Sequence, residues 1–242
     1  MQKQEIQFDD TEIAFAINTD RELWKSYFVF ATMKRPWMVK IGVAFTRFAL
    51  SVGLPIKGII RNTIYLQFCG GESVEGCQPT MKKLADFNVK TILDYSVEGE
   101  TIEIGYDRTK NELIRICKSA KEGTDVPFCV VKLTGIGSTN VMIKVQEGKE
   151  LTKDEQLKLE MMQDRAFEIA EAAKENGLMF MIDAEESWIQ DVIDEVSLEL
   201  MRKFNQDYPH VFNTFQMYRH DMLGNLKAAI KLAREEKFHL GV

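Results

Sequence analysis

Downstream of residue 85 the chain alternates short apolar runs with longer amphipathic stretches. The runs are VKTILDY (89–95), FCVVKL (128–133), LMFMI (178–182), VFNTF (211–215) and FHLGV (238–242). Each is rich in Val, Ile, Leu, Met or Phe and none alternates cleanly, which predicts strands buried on both faces. The stretches between them predict helices. Thr152 with Glu155 is a capping-box signature for a helix ending at Asn176-Gly177. Ser187 is placed to cap a helix from Trp188 to about Phe204. Leu223, Leu226, Ala229, Ile230 and Ala233 recur at near-helical spacing. The order is βαβαβαβαβ, and connections of that length make the strands parallel. Residues 1–85 lack the alternation and read as helices and loops, with stops at Pro36, Pro55, Gly70-Gly71 and Pro79.

Five parallel strands form either an open doubly wound sheet or part of a closed barrel. Gly135-Ile136-Gly137 gives a broken GxGxxN without a helix opening behind it, so it reads as a loop. Polar residues follow several different strands, which suits a barrel. The predicted fold class is α/β: a helical segment, 1–85, then part of a (β/α)8 TIM-type barrel of about five strands, 86–242. FHLGV at the end reads as a buried strand, an uncommon terminus, so the pattern predicts the front portion of a longer protein.

Composition narrows the classes. The chain has 242 residues, 45% of them hydrophobic, enough for a substantial core. A net charge of −6 argues against a general nucleic-acid binder. Cys69, Cys77, Cys117 and Cys129 match no zinc or thioredoxin spacing and read as reduced, mostly buried thiols in a cytosol-like compartment. The opening MQKQEIQFDD is no secretion signal, and Lys40, Arg47 and Lys57 interrupt the apolar region 36–60 before it could span a bilayer.

Charge is unevenly placed. Between Glu22 and Glu72 there is no acidic residue, but there are Lys25, Lys34, Arg35, Lys40, Arg47, Lys57 and Arg61, interleaved with tryptophans and phenylalanines. Such a segment either packs on an acidic main domain or lies on an anionic membrane surface.

Residues just past the carboxyl ends of parallel strands converge on one site. Here these are Asp94 and Glu98, then Lys132, then Asp183 to Glu186, then Gln216, Tyr218 and Arg219. A lysine after three apolar residues is costly to desolvate unless it meets an anion, from neighbouring acids or from a substrate carboxylate. The acid run after LMFMI could equally cap the next helix. One cation, several carboxylates and an amide at one end of successive strands would hold a small zwitterion. His210, His220 and His239 have no metal-like spacing and read as surface or loop residues, no metal site is expected, and Trp188, Leu159, Met161 and Met162 read as packing residues.

The strings ILDYSVEGE (92–100), VVKLTG (130–135), MIDAEESWIQ (181–190) and FQMYRHDMLGNL (215–226), with FCGGES (68–73) before them, resemble the proline dehydrogenase family in order and spacing. The resemblance implies a distorted (β/α)8 barrel with FAD at the carboxyl ends of the strands. It implies oxidation of L-proline to Δ1-pyrroline-5-carboxylate, with electrons passing to a membrane quinone. By the same resemblance Asp183 matches the active-site aspartate and Lys132 the lysine that pairs with the proline carboxylate. Ala184 and Gln216 match flavin-contacting positions, and Glu98 matches an acid that closes over the substrate. A cytoplasmic protein, peripheral on the inner face of the membrane through its basic segment, is the matching expectation. The family's later flavin motif and paired arginines fall beyond Val242, so residues 1–242 alone are expected to be inactive. Two other readings stay open: a Schiff-base lyase or aldolase barrel using Lys132, and a non-catalytic half-barrel that docks on another chain.

Overall fold

The computed structural model describes residues 9–95, 100–120 and 126–242. The chain divides into two compact units, Met1–Val89 and Lys90–Val242.

The first unit is helical among its described residues. Helices α1 (Thr11–Phe15), α2 (Asp20–Met33), α3 (Pro36–Ser51) and α4 (Lys57–Ile60) lead through a π turn (Arg61–Tyr65) into α5 (Leu66–Phe68) and α6 (Val74–Ala85). Thr19 and Glu22 form a capping box that starts α2. Lys83 bonds Glu22 at 2.8 Å, and this bond, with those from Thr19, brings the Glu22 carboxyl down to about 2. Pro36 opens α3, where its missing N–H costs nothing. Pro79, expected as a stop, instead lies inside α6. The turn at Gly70-Gly71 is held by the Tyr65 hydroxyl donating to Gly71 O (2.9 Å) and Thr80 Oγ1 donating to Gly70 O (3.2 Å). Among the described residues no helix is long and apolar enough to cross a membrane.

The second unit is a parallel sheet in chain order: β1 (Phe128–Val131), β2 (Met179–Ile182) and β3 (Val211–Asn213). Helix α7 (Glu103–Ser119) precedes β1. A 3-10 turn (Leu133–Gly135), α8 (Thr139–Gln146) and α9 (Lys153–Glu175) link β1 to β2. Helix α10 (Gln190–Phe204) links β2 to β3, and α11 (Met222–Glu236) follows. The Thr152–Glu155 capping box is formed, and α9 gives way to Asn176 and then Gly177, whose φ of 74° suits glycine.

The five expected strands are three, with two flanking segments that run beside the sheet. VKTILDY contributes a single parallel bridge, Leu93 to Cys129. FHLGV lies against β3, with Asn213 N–H donating to Gly241 O at 3.0 Å. Among the described residues each segment makes one such backbone pairing with the sheet, too little to form a ladder. The backbones approach so closely that a Cβ at Gly241 would sit 2.1 Å from Val211 O, which only glycine allows.

Burial on both strand faces holds only in part. Cys129, Val131, Phe180, Ile182 and Val211 share a face that is fully buried. On the opposite face Val130 is buried, but Phe128, Met179, Met181 and Phe212 are half-buried, and Phe128 meets Phe212 edge-to-face across β2 at 5.4 Å.

Polar groups organise the covered face. Arg165 of α9, 3% exposed, donates to Asp107 (2.8 Å) and Glu103 (2.7 Å) of α7 and to Ile136 O (3.0 Å). His210, expected at the surface, is 1% exposed, because the Asn205 side chain and Ala170 O satisfy its polar atoms. Burial lowers its pKa from the ordinary histidine value, and the nearby Lys174 acts in the same direction. His220 and His239 are exposed. Cys117 and Cys129 are buried, but Cys69 is exposed and Cys77 partly so, which corrects the expectation of mostly buried thiols. Met162 is core, while Leu159 and Met161 are half-buried.

Two stability predictions follow from these contacts. Arg165→Ala strands a buried carbonyl and two half-exposed carboxylates, and should lower unfolding free energy by about 2–3 kcal/mol. Urea titration checks this, and an unchanged midpoint would show the network inert. For His210 the unfolded chain titrates near pH 6.5, whereas the folded ring resists protonation. Its share of stability is therefore complete above that pH and declines as pH falls through it. The urea midpoint should drop between about pH 7 and 5.5, and His210→Gln should flatten that drop.

Candidate active site

The sheet register sets the site. Val131 pairs with Ile182, and Ile182 with Asn213, so the residues that follow leave the sheet side by side. Asp183 N–H donates to Val131 O (2.9 Å) and Thr214 Oγ1 to Ile182 O (3.0 Å), which fixes the strand ends to one another. Lys132 continues β1 in extended conformation before the chain turns at Leu133–Gly135.

Lys132 Nζ lies 3.6 Å from Asp183 Oδ2, with both side chains partly shielded. Asp183 Oδ1 accepts the Ala184 N–H at 3.0 Å. Any other contact Ala184 makes therefore uses its methyl group or carbonyl. Glu185 ties three elements together. One carboxylate oxygen accepts the Thr134 N–H at 3.1 Å and the other accepts the Thr134 hydroxyl. Its own N–H donates to Gln190 Oε1 (3.0 Å), and its carbonyl accepts from Gln216 Nε2 (3.1 Å). Burial raises the Glu185 carboxyl above the usual range, against the lowering effect of the Thr134 bonds and of Lys132.

Lys132, Thr134, Glu185 and Gln216 line a cavity of about 920 Å³, whose wall also includes Trp188 and Arg219. Trp188, expected as packing, is 57% exposed at this cavity. Ser187 does not cap α10. Residues 187–189 form a turn, and Gln146 of α8 reaches across to bond Ser187 O (2.8 Å) and the Asp191 N–H (3.0 Å). Arg219 forks onto Asp221 at 3.2 and 2.6 Å, but its buried Nη1 has no hydrogen-bond partner among the described residues. Asp194, in the wall of a separate cavity, accepts from Gln190 and Asn213, both at 2.8 Å, and burial raises its carboxyl.

Of the residues expected at the site, Lys132, Asp183, Ala184 and Gln216 are brought together, and Asp94 is exposed next to the Leu93 bridge. Glu98 lies outside the described residues. The partnership of Thr134 with Glu185 was not foreseen, although both stand inside strings that mark strand ends. Among the described residues no cluster of three or more metal-ligating side chains occurs.

Comparison with known proteins identifies the family. The chain is 31% identical over 181 residues to the carbapenem antibiotics biosynthesis protein CarD of Pectobacterium carotovorum subsp. carotovorum, covering 75% of this chain and 47% of that protein. It is 23% identical over 227 residues to the mitochondrial proline dehydrogenase 1 of Dictyostelium discoideum, covering 78% and 40%. It thus spans about half the length, or less, of these relatives. In fold it is similar to proline utilization A from Bdellovibrio bacteriovorus, in a crystal structure of the protein inactivated by N-propargylglycine. The TM-score is 0.57 at 18% identity, covering 76% of this chain and 20% of that one. Residues 77–242, which include all three strands and the whole Lys132–Asp183–Gln216 cluster, match the proline dehydrogenase family, and the chain belongs to that family.

Proposed function

We propose that this site oxidises L-proline to Δ1-pyrroline-5-carboxylate with FAD as the cofactor, within a (β/α)8 barrel to which residues 86–242 contribute behind the helical lead-in 1–85. The observation that carries the reading is the Lys132–Asp183 pair at the ends of adjacent parallel strands, with Lys132 in the wall of a large cavity. An ammonium beside a carboxylate is a dipole matched to an amino acid. It is a poorer nucleophile than the free amine a Schiff base requires, which weighs against the lyase alternative.

The residues present fit a flavin. The cavity volume lies in the range of cofactor pockets. Arg219 Nη1 is a buried donor without an acceptor among the described residues, and the Gln216 amide nitrogen carries a proton beyond the one given to Glu185 O. Both suit the acceptor-rich edge of an isoalloxazine ring, with Trp188 offering a flat face; by the family resemblance Ala184, next to Glu185 of the cavity wall, would add a close small-residue contact. When bound, the flavin supplies the two-electron acceptor for a hydride.

In this reading Lys132 clamps the proline carboxylate, which fixes the ring against the cavity floor. Asp183 faces the ring nitrogen and takes up or relays its proton, so that the nitrogen lone pair is available as the C–N bond becomes C=N. Glu98 remains the candidate for closing the site. A quinone acceptor and peripheral contact with the cytoplasmic face of a membrane extend the proposal. Their support is the acid-free segment between Glu22 and Glu72, with seven cations and exposed Trp24, Phe28, Trp37 and Phe45.

The test is anaerobic addition of L-proline to protein made from its complete reading frame and loaded with FAD. Loss of the oxidised-flavin absorbance is expected, together with proline-dependent reduction of an artificial quinone. Asp183→Ala should lower turnover about a hundredfold or more, and Lys132→Ala should raise KM about tenfold or more. A protein that binds no flavin and leaves proline untouched would overturn the assignment.

A further inference from the structure

We propose that Glu185 is a positioning residue for the Lys132 clamp, acting through Thr134 rather than on the substrate. The proposal deepens the proline-oxidising reading and rests on it for the identity of the ligand.

Thr134 is 7% exposed, and the bonds to Glu185 satisfy both its N–H and its hydroxyl. The turn that contains it begins at Lys132, whose carbonyl accepts the Gly135 N–H at 3.0 Å. Lys132 therefore has its backbone held from both sides: by the β1–β2 ladder before it, and by the Glu185–Thr134 tie just after it. Removing the carboxylate leaves two buried donors without acceptors, and the turn must reorganise to rehydrate them. Lys132 Nζ, at the end of a long flexible stem, would move with the turn and lose its alignment with Asp183. Glu185 also holds the Gln216 amide through its carbonyl, so the same residue registers the β2 end against the β3 end. A carboxylate is needed because two oxygens each accept one Thr134 donor. Glutamine offers a single acceptor oxygen.

The signature of such a role is a split between KM and kcat. Lys132 contributes binding shared by ground state and transition state, so misplacing it weakens capture more than chemistry. Glu185→Gln and Thr134→Val should each raise KM for L-proline about tenfold, with kcat changed less than about threefold and the thermal midpoint within a few degrees of wild type. Thr134→Ser, which keeps both donors, should restore KM. Tetrahydrofuran-2-carboxylate keeps the ring and carboxylate but has no amine to oxidise. Calorimetry with this probe should show a matching loss of affinity in both variants, independent of turnover. If Glu185→Gln proves unstable, Thr134→Val carries the test, since it alters one hydroxyl and keeps the backbone bond.

Wild type that turns over proline while both variants keep wild-type KM and probe affinity would overturn the positioning role and leave the proposed reaction standing. Equal falls in kcat, stability and flavin content would overturn it in favour of a structural tie. Wild type that neither turns over proline nor binds the probe would overturn both proposals.

Discussion

The parallel register of β1, β2 and β3 is the constraint on which the site depends. Because Val131, Ile182 and Asn213 lie in one row, Lys132, Asp183 and Thr214 leave the sheet as neighbours despite being separated by tens of residues along the chain. A slip of one residue in any strand would turn its terminal side chain to the opposite face and dissolve the cluster. The register is protected from both directions. On the covered face Phe180, Ile182 and Val211 are fully buried against helices, and at the strand ends Asp183 N–H and Thr214 Oγ1 bond back to the neighbouring strand.

Much of the fold was legible in the sequence because its signals are local. The Thr152–Glu155 box, the Gly177 stop and the apolar runs at 128, 178 and 211 each specify an element from a few adjacent residues. The failures arise where a distant group supplies what the local sequence lacks. Ser187 looks like a helix cap, but Gln146 of another helix takes over part of that work for α10. His210 reads as a loop histidine, yet Asn205 and Ala170 satisfy it in the core. The runs at 89 and 238 have strand composition, but each makes one backbone pairing with the sheet among the described residues, where regular strand geometry needs a ladder of them.

The site was legible to a similar depth. Strand ends in a parallel sheet converge, so Lys132, the Asp183–Glu186 run and Gln216 could be grouped from the chain alone. Their separate roles could not, because spacing does not say which acid faces the lysine; those came with the family resemblance. The Glu185–Thr134 tie spans 51 residues and depends on rotamers that no local pattern encodes. Trp188 was misread for a related reason. Its apolar bulk suggests core, but the turn at 187–189 swings it to the cavity mouth, where it stays exposed.

The charge of the cluster bears on what it can hold. Lys132 stands 3.6 Å from Asp183 and feels Glu185 as well, so one cation is set among two acids. A simple carboxylate entering such a site gains one attraction and meets repulsion from Asp183 at close range. A zwitterion brings its own cation to that aspartate, so both ends are compensated, and the lysine need not lose one partner to gain another. Partial burial strengthens each of these terms relative to bulk water while leaving the cluster accessible from the cavity. On the proposed reading, a plain acid of the same size, such as tetrahydrofuran-2-carboxylate, still binds through Lys132 but more weakly than the amino acid, because it brings no cation to Asp183. Tying Lys132 to Glu185 through Thr134 is what keeps that pair at its working distance.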